Sequence, residues 1–434
     1  MSALPSGLKI AYYGDDFTGA TDTLSTAARA GLKTLLFLGL PTDAQLARAG
    51  ALDCLGIAGA ARAMNPHDMA AELLPVGDLF ARLKAPVVHY KTCSTFDSAP
   101  QVGSIGAAIN ALKPHVANAF VPIVGGQPNL RRYCVFGHLF AAAGAAIHRI
   151  DRHPTMRHHP VTPMHEADLR LHLAQQGLAR IASVDYPVYA QSGEAIDAQL
   201  DALLADAPDA VLFDVSRTED LAVIGRLIWQ RAVRQRLLAA GPSSVVQALT
   251  AHWGCGTAAG LPPIAAADGP VLVLAGSLSP MTARQVAAAT SYDAVAMDAL
   301  RLADDTAYRQ RMATHISARL RDGANVLACT STEGIAAGTP TDGRALALAC
   351  GALLADVLRQ HPVKRLGIAG GDTSSLAVQA LDAWGLSWQA QLAPGVALCR
   401  LHSDDVALDG MEIMLKGGQM GSELLFEDLV SGVA

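Results

Sequence analysis

The fold of this chain is decided by the stretch Tyr12-Tyr13-Gly14-Asp15-Asp16-Phe17-Thr18-Gly19-Ala20-Thr21-Asp22. An apolar run at 8–12 predicts a buried strand before it, and an Ala- and Leu-rich run at 23–30 predicts a helix after it. The carboxylates and threonines between them are therefore expected in a strand-to-helix turn. Such turns bind ligands in open α/β sheets, because they lie outside the carboxyl ends of strands. A helix cap would explain one of these residues but not three aspartates together, so we interpret the turn as functional.

Length and composition indicate a large globular protein. At 434 residues the chain exceeds what a single core usually organises, so two domains are expected. A hydrophobic fraction of 51% and a charged fraction of 17% are typical of a well-buried protein. The net charge of −6 does not indicate a nucleic-acid partner or an anionic membrane surface. With no signal-peptide pattern, no long apolar run and seven scattered cysteines, we expect a cytoplasmic protein with free thiols.

Strand-like apolar runs alternate with helical stretches along the chain, which predicts βαβ units and mostly parallel sheets. The runs lie at 33–38, 52–58, 86–91, 119–124, 210–215, 270–275, 326–330, 365–369 and 411–416. Residues 221–238 are predicted to form one long helix, and the Gly-, Pro- and Ala-rich stretch 239–268 is predicted to hold a domain boundary. We therefore predict two α/β domains, at 1–260 and 261–434, with an active-site cleft between them.

A segment at 148–172 is rich in His, Arg and Pro. Its six histidines suggest a metal site, but their spacing matches no standard set of ligands. We favour a substrate-facing loop that carries cationic and hydrogen-bonding groups, while several of these histidines are expected on solvated surface.

Three turns rich in Gly, Ser and Thr follow strands in the second half, at 276–280, 370–374 and 417–421. Glycine lets backbone approach a ligand closely, and a helix N-terminus presents unpaired N–H groups to phosphate. The turn at 370–374 stands out because Asp372 is also able to hold Mg²⁺ or to orient a nucleophile. Neither a G-x-x-x-x-G-K-[ST] sequence nor a G-x-G-x-x-G after the first strand is present. The second domain is therefore predicted to bind a nucleotide through these turns.

The first half combines acidic and cationic side chains suited to a hydroxylated acid. The aspartates are Asp15, Asp16 and Asp22, the cations are Lys91, Arg131 and Arg132, and Ser94 and Thr95 add hydroxyl groups, unless they only cap a helix. Beside a phosphate-binding domain, such a site predicts an ATP-dependent kinase of a small sugar acid. An NAD(P)-dependent hydroxy-acid dehydrogenase and a non-catalytic sensor of sugar acid and nucleotide are the rival interpretations.

Between about residues 8 and 429 the chain resembles the four-carbon acid sugar kinase family. Residues 14–22 match its A-D-D-x-T-G-A-x-D turn, and residues 91–98 are similar to its K-x-D-S-T-x-R-G segment. Residues 276–279, 370–374 and 416–421 are similar to its G-S-x-S, G-G-D-T-S and K-S-G-x-F-G-like turns. The resemblance implies an N-terminal sugar-binding domain, a C-terminal nucleotide-binding domain and phosphoryl transfer from ATP, for which Mg²⁺ is expected.

Two positions depart from that family pattern. Cys93 stands where the pattern has Asp, and Asp97 stands where it has Arg. Exchanging a cation for an anion in a substrate loop is expected to change what is bound, because a buried unpaired charge is costly. A four-carbon acid such as threonate, erythronate or 3-oxo-tetronate, phosphorylated at its terminal hydroxyl, is the first expectation. A branched 3-oxo acid such as 3-oxo-isoapionate is the alternative.

These observations lead to a set of predicted site residues. Substrate binding is assigned to Asp15, Asp16, Lys91, Ser94, Thr95 and Arg131, and nucleotide binding to Ser277, Ser279, Gly370, Gly371, Asp372, Thr373 and Gly418. Asp16 and Asp372 are both candidates for the catalytic base, and the sequence does not choose between them. Metal ligands and the oligomeric state, a homo-oligomer included, are left open.

Overall fold

The computed structural model describes residues 5–255, 262–276, 279–331, 343–418 and 420–433. Strands occupy the predicted apolar runs and several places that the sequence did not indicate. They are β1 (Ile10–Gly14), β2 (Thr34–Phe37), β3 (Cys54–Ala58), β4 (Val87–Lys91), β5 (Pro122–Val124), β6 (Arg132–Val135), β7 (His138–Ala143), β8 (Ala146–Arg149), β9 (Ile181–Val184), β10 (Ala210–Phe213), β11 (Leu237–Gly241), β12 (Val271–Ala275), β13 (Asp293–Asp298), β14 (Val326–Ser331), β15 (Arg365–Ala369), β16 (Gly385–Ala393), β17 (Val396–His402) and β18 (Glu412–Lys416).

Helices connect most of these strands. They are α1 (Phe17–Arg29), α2 (Asp43–Ala49), α3 (Pro66–Leu83), α4 (Ile105–Leu112), α5 (Leu169–Ala174), α6 (Gly193–Ala205), α7 (Asp220–Ala232), α8 (Ser244–His252), α9 (Pro280–Ala288), α10 (Ala299–Asp304), α11 (Thr306–Arg321), α12 (Gly343–Gln360), α13 (Gly371–Gln379) and α14 (Leu425–Ser431). Among the residues described, none of the helices is long and apolar enough to cross a membrane.

The chain divides into two compact units. Unit 1 comprises Met1–Thr34 and Leu46–Ala259, and unit 2 comprises Leu35–Gln45 and Gly260–Ala434. The functional division at 260/261 stays a prediction.

Unit 1 is built on a parallel sheet with the strand order β3-β1-β4-β11-β5-β10-β9. The strands β1, β3, β4, β10 and β11 are buried along their whole length, as expected for a parallel sheet that is covered on both faces. Four strand ends lie level. Gly14 pairs with Ala58 and with Lys91, and Lys91 pairs with Gly241. The loops that follow these strands therefore start at one edge of the sheet.

Unit 2 contains a mixed sheet with the order β13-β14-β12-β15-β18-β17-β16. The residues of β2 that belong to unit 2 pair with β16, Leu36 with Leu386 and Phe37 with Gly385. The first five strands are parallel and the remaining pairs are antiparallel. At the carboxyl ends of its central strands, Ala275 pairs with Ala369, and Ala369 pairs with Lys416. The predicted α/β class with mostly parallel sheets is confirmed.

One local prediction was wrong, and one small sheet was not anticipated. The predicted helix at 221–238 ends at Ala232, and Leu237–Gly241 forms the buried strand β11 instead. Its Leu- and Ala-rich sequence has high helix propensity, but pairing with β4 and β5 overrides it. A separate three-stranded antiparallel sheet, β6-β7-β8, was not anticipated and carries the first residues of the His-rich segment.

The opening turn is also shorter than predicted. Helix α1 already begins at Phe17, because the Asp16 carboxylate caps it by accepting a hydrogen bond from Gly19 N at 2.7 Å. Thr18, Thr21 and Asp22 therefore lie on the helix, and Asp15 and Asp16 are the aspartates that remain in the turn. The cap interpretation thus applies to Asp16, although its second oxygen has a different partner.

Candidate active site

The turn after β1 is joined to the loop after β3 by an ion-pair network. The Arg62 guanidinium donates to both Asp15 oxygens, from Nε at 3.1 Å and from Nη2 at 2.8 Å. Its Nη1 donates to Asp16 Oδ2 at 2.9 Å. Asp15 is only 4% exposed, so this is a buried network rather than a surface pair. Arg62 was not among the predicted site residues, yet it is the direct partner of two that were.

The two aspartates respond differently to this environment. Burial raises the pKa of Asp15, and the opposing influence of Arg62 does not fully offset it. Burial also acts on Asp16, but Arg62, Lys91 and the hydrogen bonds from Thr18 and Gly19 together lower its pKa. Asp16 is therefore a carboxylate held in its charged form, and Asp15 is the more basic of the pair.

Lys91 is a second buried cation at this edge. It ends β4, is 3% exposed, and donates from Nζ to Thr92 O at 2.8 Å. A Cβ at Gly19 would lie 2.5 Å from Lys91 Nζ and 2.4 Å from Asp16 Oδ1, so a larger residue there would displace these side-chain ends. The ammonium and the carboxylate thus approach the first turn of α1 from two sides.

The loop that follows β4 is made of small polar side chains. Thr95 Oγ1 donates to Asp97 Oδ1 at 2.5 Å and lies 3.0 Å from Cys93 Sγ. Ser94, Thr95 and Asp97 are all buried. Burial, followed by the charge of Asp97, raises the pKa of the Cys93 thiol to about 11, so this side chain is neutral at physiological pH. Arg62 and Lys91 also act on that thiol, which places Cys93 among the same charged groups.

This loop is anchored at both ends. At its start Thr92 N donates to Gly241 O at 3.0 Å. At its end the Ser98 hydroxyl lies 2.9 Å from His172 Nε2 and accepts from Gln176 Nε2 at 2.8 Å. Burial lowers the pKa of His172, which keeps its ring neutral and suited to this contact. The residues between the anchors, 93–97, are held beside the turn after β1.

Arg131 precedes β6 and Arg132 is its first residue, and the two side chains have different surroundings. The Arg131 guanidinium donates to the carbonyl oxygens of Gly144 and Ala145, at 2.7 and 2.9 Å, and so closes the β7–β8 hairpin. Arg132 donates from Nη1 to Leu130 O, whereas its Nε is buried without a hydrogen-bond partner. Burial lowers the pKa of Arg132, and the opposing influences come from Cys93 and Asp22. The sequence prediction selected Arg131, but Arg132 is the arginine with an unsatisfied donor beside the loop 92–98.

Asp22, which lies on α1, takes part in a hydrogen-bond network separate from that of Asp15 and Asp16. Its Oδ2 accepts from Gln127 Nε2 at 3.0 Å and from the Ser243 hydroxyl. Gln127 is bonded through its backbone in both directions to Arg132, at 2.9 and 3.2 Å. Asp22 therefore positions the β5–β6 connection and, through it, Arg132, instead of joining Asp15 and Asp16.

Several histidines of the segment 148–172 serve local structure. His153 Nδ1 accepts from Thr155 N and Met156 N, each at 3.2 Å, and His159 Nδ1 accepts from Thr162 N at 3.1 Å. No group of three or more His, Cys, Asp or Glu side chains is arranged to hold a metal ion in the described ranges. A substrate-facing role for this segment stays a prediction.

Unit 2 brings its glycine-rich turns to one sheet edge. Because β12, β15 and β18 are neighbours that end in register, Gly276, Gly370 and Gly418 follow adjacent strand ends. Gly276 N donates to Ala369 O at 3.0 Å, and Gly370 N donates to Lys416 O at 2.9 Å. A Cβ at Gly276 would lie 2.4 Å from Thr373 Oγ1, so the turns after β12 and β15 are in close contact.

Two helices begin at these turns. Gly370, at φ 132°, precedes α13, which includes the predicted residues Gly371, Asp372 and Thr373. Ser279 caps α9 by accepting from Thr282 N at 3.2 Å, and its hydroxyl also donates to Gly418 O. The helix N-termini thus direct N–H groups towards the edge where the turns lie, an arrangement suited to phosphate. Ser277 and the Asp372 side chain lie outside the described part of the structure.

Comparison with known proteins gives two domain matches. A model of a sugar-binding N-terminal domain matches residues 10–249, and a model of a nucleotide-binding C-terminal domain matches residues 272–426. The chain is 40% identical to the 3-oxo-isoapionate kinase of Paraburkholderia graminis, with 98% of this chain and 94% of that protein covered. The chain belongs to the four-carbon acid sugar kinase family. Its predicted classification as an ATP-dependent sugar-acid kinase is confirmed at that level.

A 3-oxo-tetronate kinase and two solved structures give further matches. The 3-oxo-tetronate kinase of Methylobacterium radiotolerans is 31% identical, with 96% of this chain and 98% of that protein covered. Solved structures from Salmonella typhimurium LT2 and Haemophilus influenzae superpose with TM-scores of 0.79 and 0.72, each at 24% identity. The alignments cover 97% and 96% of this chain and 98% of each of those chains. These two structures support the fold.

Proposed function

We propose that this kinase transfers the γ-phosphoryl group of ATP to a hydroxyl group of a branched 3-oxo sugar acid of the 3-oxo-isoapionate type. The observation that carries the proposal is the 40% identity, over nearly the whole chain, to a kinase of that acid, compared with 31% to a 3-oxo-tetronate kinase. The four-carbon acids 3-oxo-tetronate, threonate and erythronate are the second candidates.

The acceptor site is proposed at the edge of the unit 1 sheet. A sugar acid needs cations for its carboxylate and hydrogen-bonding groups for its hydroxyls. Arg62 uses three of its five N–H groups on Asp15 and Asp16, which leaves two for a carboxylate. Arg132 offers its buried Nε, and Lys91 offers N–H groups beyond the one bound to Thr92 O. We assign hydroxyl binding to Asp15, Asp16, Ser94 and Thr95, and carboxylate binding to Arg62, Lys91 and Arg132.

We therefore assign carboxylate binding to Arg132 and not to Arg131, which was the residue predicted from the sequence. Both hydrogen bonds of the Arg131 guanidinium are made to main-chain carbonyls of the adjacent hairpin, which is a structural role. Arg132 lies between the network of Asp22 and the loop that carries Cys93, and that thiol is neutral. A neutral side chain opposite the guanidinium leaves its charge available to a substrate carboxylate.

The nucleotide site is proposed at the edge of the unit 2 sheet. Backbone N–H groups around Ser279, Gly370, Gly371, Thr373 and Gly418 are assigned to the phosphates, together with Ser277. Mg²⁺ commonly binds through one or two carboxylates and the substrate phosphates, and Asp372 is the proposed protein ligand at this edge. When bound, the ion would neutralise charge on the phosphates.

In the reaction, an acceptor hydroxyl oxygen forms a bond to the γ-phosphorus while the bond from that phosphorus to ADP breaks. The hydroxyl proton is lost to a base or to solvent. Asp16 is held in its charged form by two cations and is thus a weak proton acceptor, so we assign it to orienting the hydroxyl. Positioning of this kind is the main demand of phosphoryl transfer, and the interdomain cleft predicted from the sequence stays a prediction.

An ADP-coupled assay with a panel of acids tests the proposal. We expect the highest kcat/KM with 3-oxo-isoapionate, lower values with 3-oxo-tetronate, and the lowest with threonate and erythronate. A higher kcat/KM with 3-oxo-tetronate would overturn the substrate assignment but not the kinase activity. Absence of ADP formation with every acid, together with NAD(P)H formation in a parallel assay, would overturn the kinase activity itself.

A further inference from the structure

The buried ammonium of Lys416 has no carboxylate partner among the described residues of unit 2. Lys416 ends β18, and none of its surface is exposed. Its Nζ donates to Thr282 Oγ1 at 2.9 Å and to Gln285 Oε1 at 2.5 Å. Gly418 O lies at 3.5 Å, and the ring centre of Phe426 lies at 5.8 Å. Each of these partners is electrically neutral.

These contacts connect the turns of the nucleotide edge. Thr282 lies in the first turn of α9, and its hydroxyl also donates to Gly418 O at 3.1 Å. Gln285 Nε2 donates to Met420 O and Ser422 O, at 3.0 and 2.7 Å. The Lys416 carbonyl accepts from Gly370 N. One residue therefore holds the turn before α13, the start of α9 and the segment after β18.

A buried cation without a counter-charge is unfavourable, because neutral hydrogen-bond acceptors replace only part of the hydration that it loses. Burial lowers the pKa of Lys416 to about 8. The N-termini of α9 and α13, at the same edge, add positive potential. This edge is therefore suited to a ligand that carries several negative charges.

We propose that Lys416 is a positioning residue of the nucleotide site and that the phosphate groups of bound ATP supply the counter-charge of its ammonium. The proposal rests on the proposed nucleotide site and adds a consequence to it. ATP should stabilise the protonated form of Lys416, so that nucleotide binding and protonation promote each other.

The other charged groups on the surrounding elements do not take this role. Arg284 on α9 pairs with Glu423 at 2.9 Å. Arg365 and Glu412 pair with each other at 2.6 Å, at the ends of β15 and β18 that lie away from Lys416. The remaining groups are Glu427 and Asp428 on α14. Burial lowers the pKa of Lys416, and the hydrogen bonds of its ammonium go to Thr282, Gln285 and Gly418 rather than to these groups. Asp372 belongs to α13, with its side chain outside the described part.

Isothermal titration of the full-length protein with Mg-ATP, in buffers of different ionisation enthalpy, tests the proposal. At pH 7 Lys416 is already protonated, so we expect little proton uptake. At pH 9 we expect an uptake of about one proton, and the affinity should fall by up to about fivefold between pH 8 and pH 9. The phosphates of ATP titrate near pH 6 and do not contribute there. Tight binding at pH 9 without proton uptake would overturn the proposal.

The variant Lys416→Met removes the charge while filling the same apolar space. It should abolish the uptake at pH 9 and weaken ATP binding at pH 7 by about tenfold or more. Lys364→Met is the matched control, because Lys364 precedes the neighbouring strand β15 at the opposite edge and is exposed. That control should keep both the affinity and the uptake. Equal affinity and uptake in Lys416→Met and wild type would overturn the proposal. Absence of ATP binding by the wild type at any pH would overturn the proposed function as well.

Discussion

Replacing Arg62 by Met should destabilise unit 1 strongly. The substitution removes hydrogen bonds of 2.8, 2.9 and 3.1 Å from two carboxylates, of which Asp15 is 4% exposed. Breaking a buried ion pair from one side costs about 3–5 kcal/mol, because a charge is left without a partner. Lys91 still acts on Asp15 and Asp16 and offsets part of this cost. We therefore expect a loss near the lower limit, about 3 kcal/mol.

Urea denaturation followed by tryptophan fluorescence measures this loss. Substituting Trp384 and Trp388 by Phe in every variant leaves Trp229 and Trp253, which lie in unit 1, as the reporters. The control is Arg226→Met, which breaks a 2.7 Å pair whose side chains are 22% and 34% exposed. Such partly solvated pairs contribute about 1 kcal/mol or less. Equal losses for the two variants would refute the interpretation of Arg62 as the partner of a buried network.

The pH dependence supplies a second criterion. Without Arg62 the pKa of Asp15 should rise further above its value in the unfolded chain, so the folded variant binds more protons than the unfolded one. Its stability should therefore increase as the pH falls from 7 towards 4, and the difference from wild type should shrink. Adding Asp15→Asn to Arg62→Met should recover part of the loss at pH 7. A loss that stays constant over this range would contradict the electrostatic cause.

Three further substitutions test the proposed ligand sites by steady-state kinetics. Arg132→Met should raise KM for the acid about 10–100-fold, since it removes a charge-assisted hydrogen bond. Arg131→Met should change this KM less than about threefold, and a larger effect of Arg131→Met than of Arg132→Met would contradict the choice of Arg132. Gly276→Ala should raise KM for ATP about tenfold and leave KM for the acid unchanged, because its Cβ would displace Thr373; an unchanged KM for ATP would remove Thr373 from the site. Cys93→Asp should lower kcat/KM for the acid about tenfold, because the new carboxylate would pair with Arg132. Cys93→Ser should keep a kcat/KM near that of the wild type, and a similar loss in both variants would indicate packing as the cause.

The strand pattern of this chain was readable from the sequence because its parallel strands are buried on both faces. A strand of this kind appears as a short continuous apolar run, such as that of β12, followed at once by polar or glycine residues. The position of the polar turns was predictable for the same reason. Strand order was not, so the sequence could not show that Gly14, Ala58 and Lys91 end level with one another.

Arg62 was missed because its importance depends on that strand order. It lies in the Ala-rich stretch after β3, without another polar residue beside it, and it meets Asp15 and Asp16 only because β3 pairs with β1. The roles of Arg131 and Arg132 could not be told apart either. The directions of two adjacent side chains can be predicted only when the backbone conformation between them is known. Arg131 adopts φ 59°, a left-handed conformation that turns its side chain towards the hairpin.

The double anchoring of the loop 92–98 has a consequence for how members of this family diversify. Its first residue is fixed to β11 and its last to α5 and Gln176. Between these anchors, Cys93 and Asp97 contact Thr95 and act electrostatically on Arg62, two residues that are proposed to bind the acceptor. On the proposed acceptor site, exchanges at Cys93 and Asp97 are expected to alter what is bound without moving the anchored ends of the loop. We therefore expect that grafting residues 93–97 between homologues transfers acceptor preference, because the ends of the loop keep their anchors.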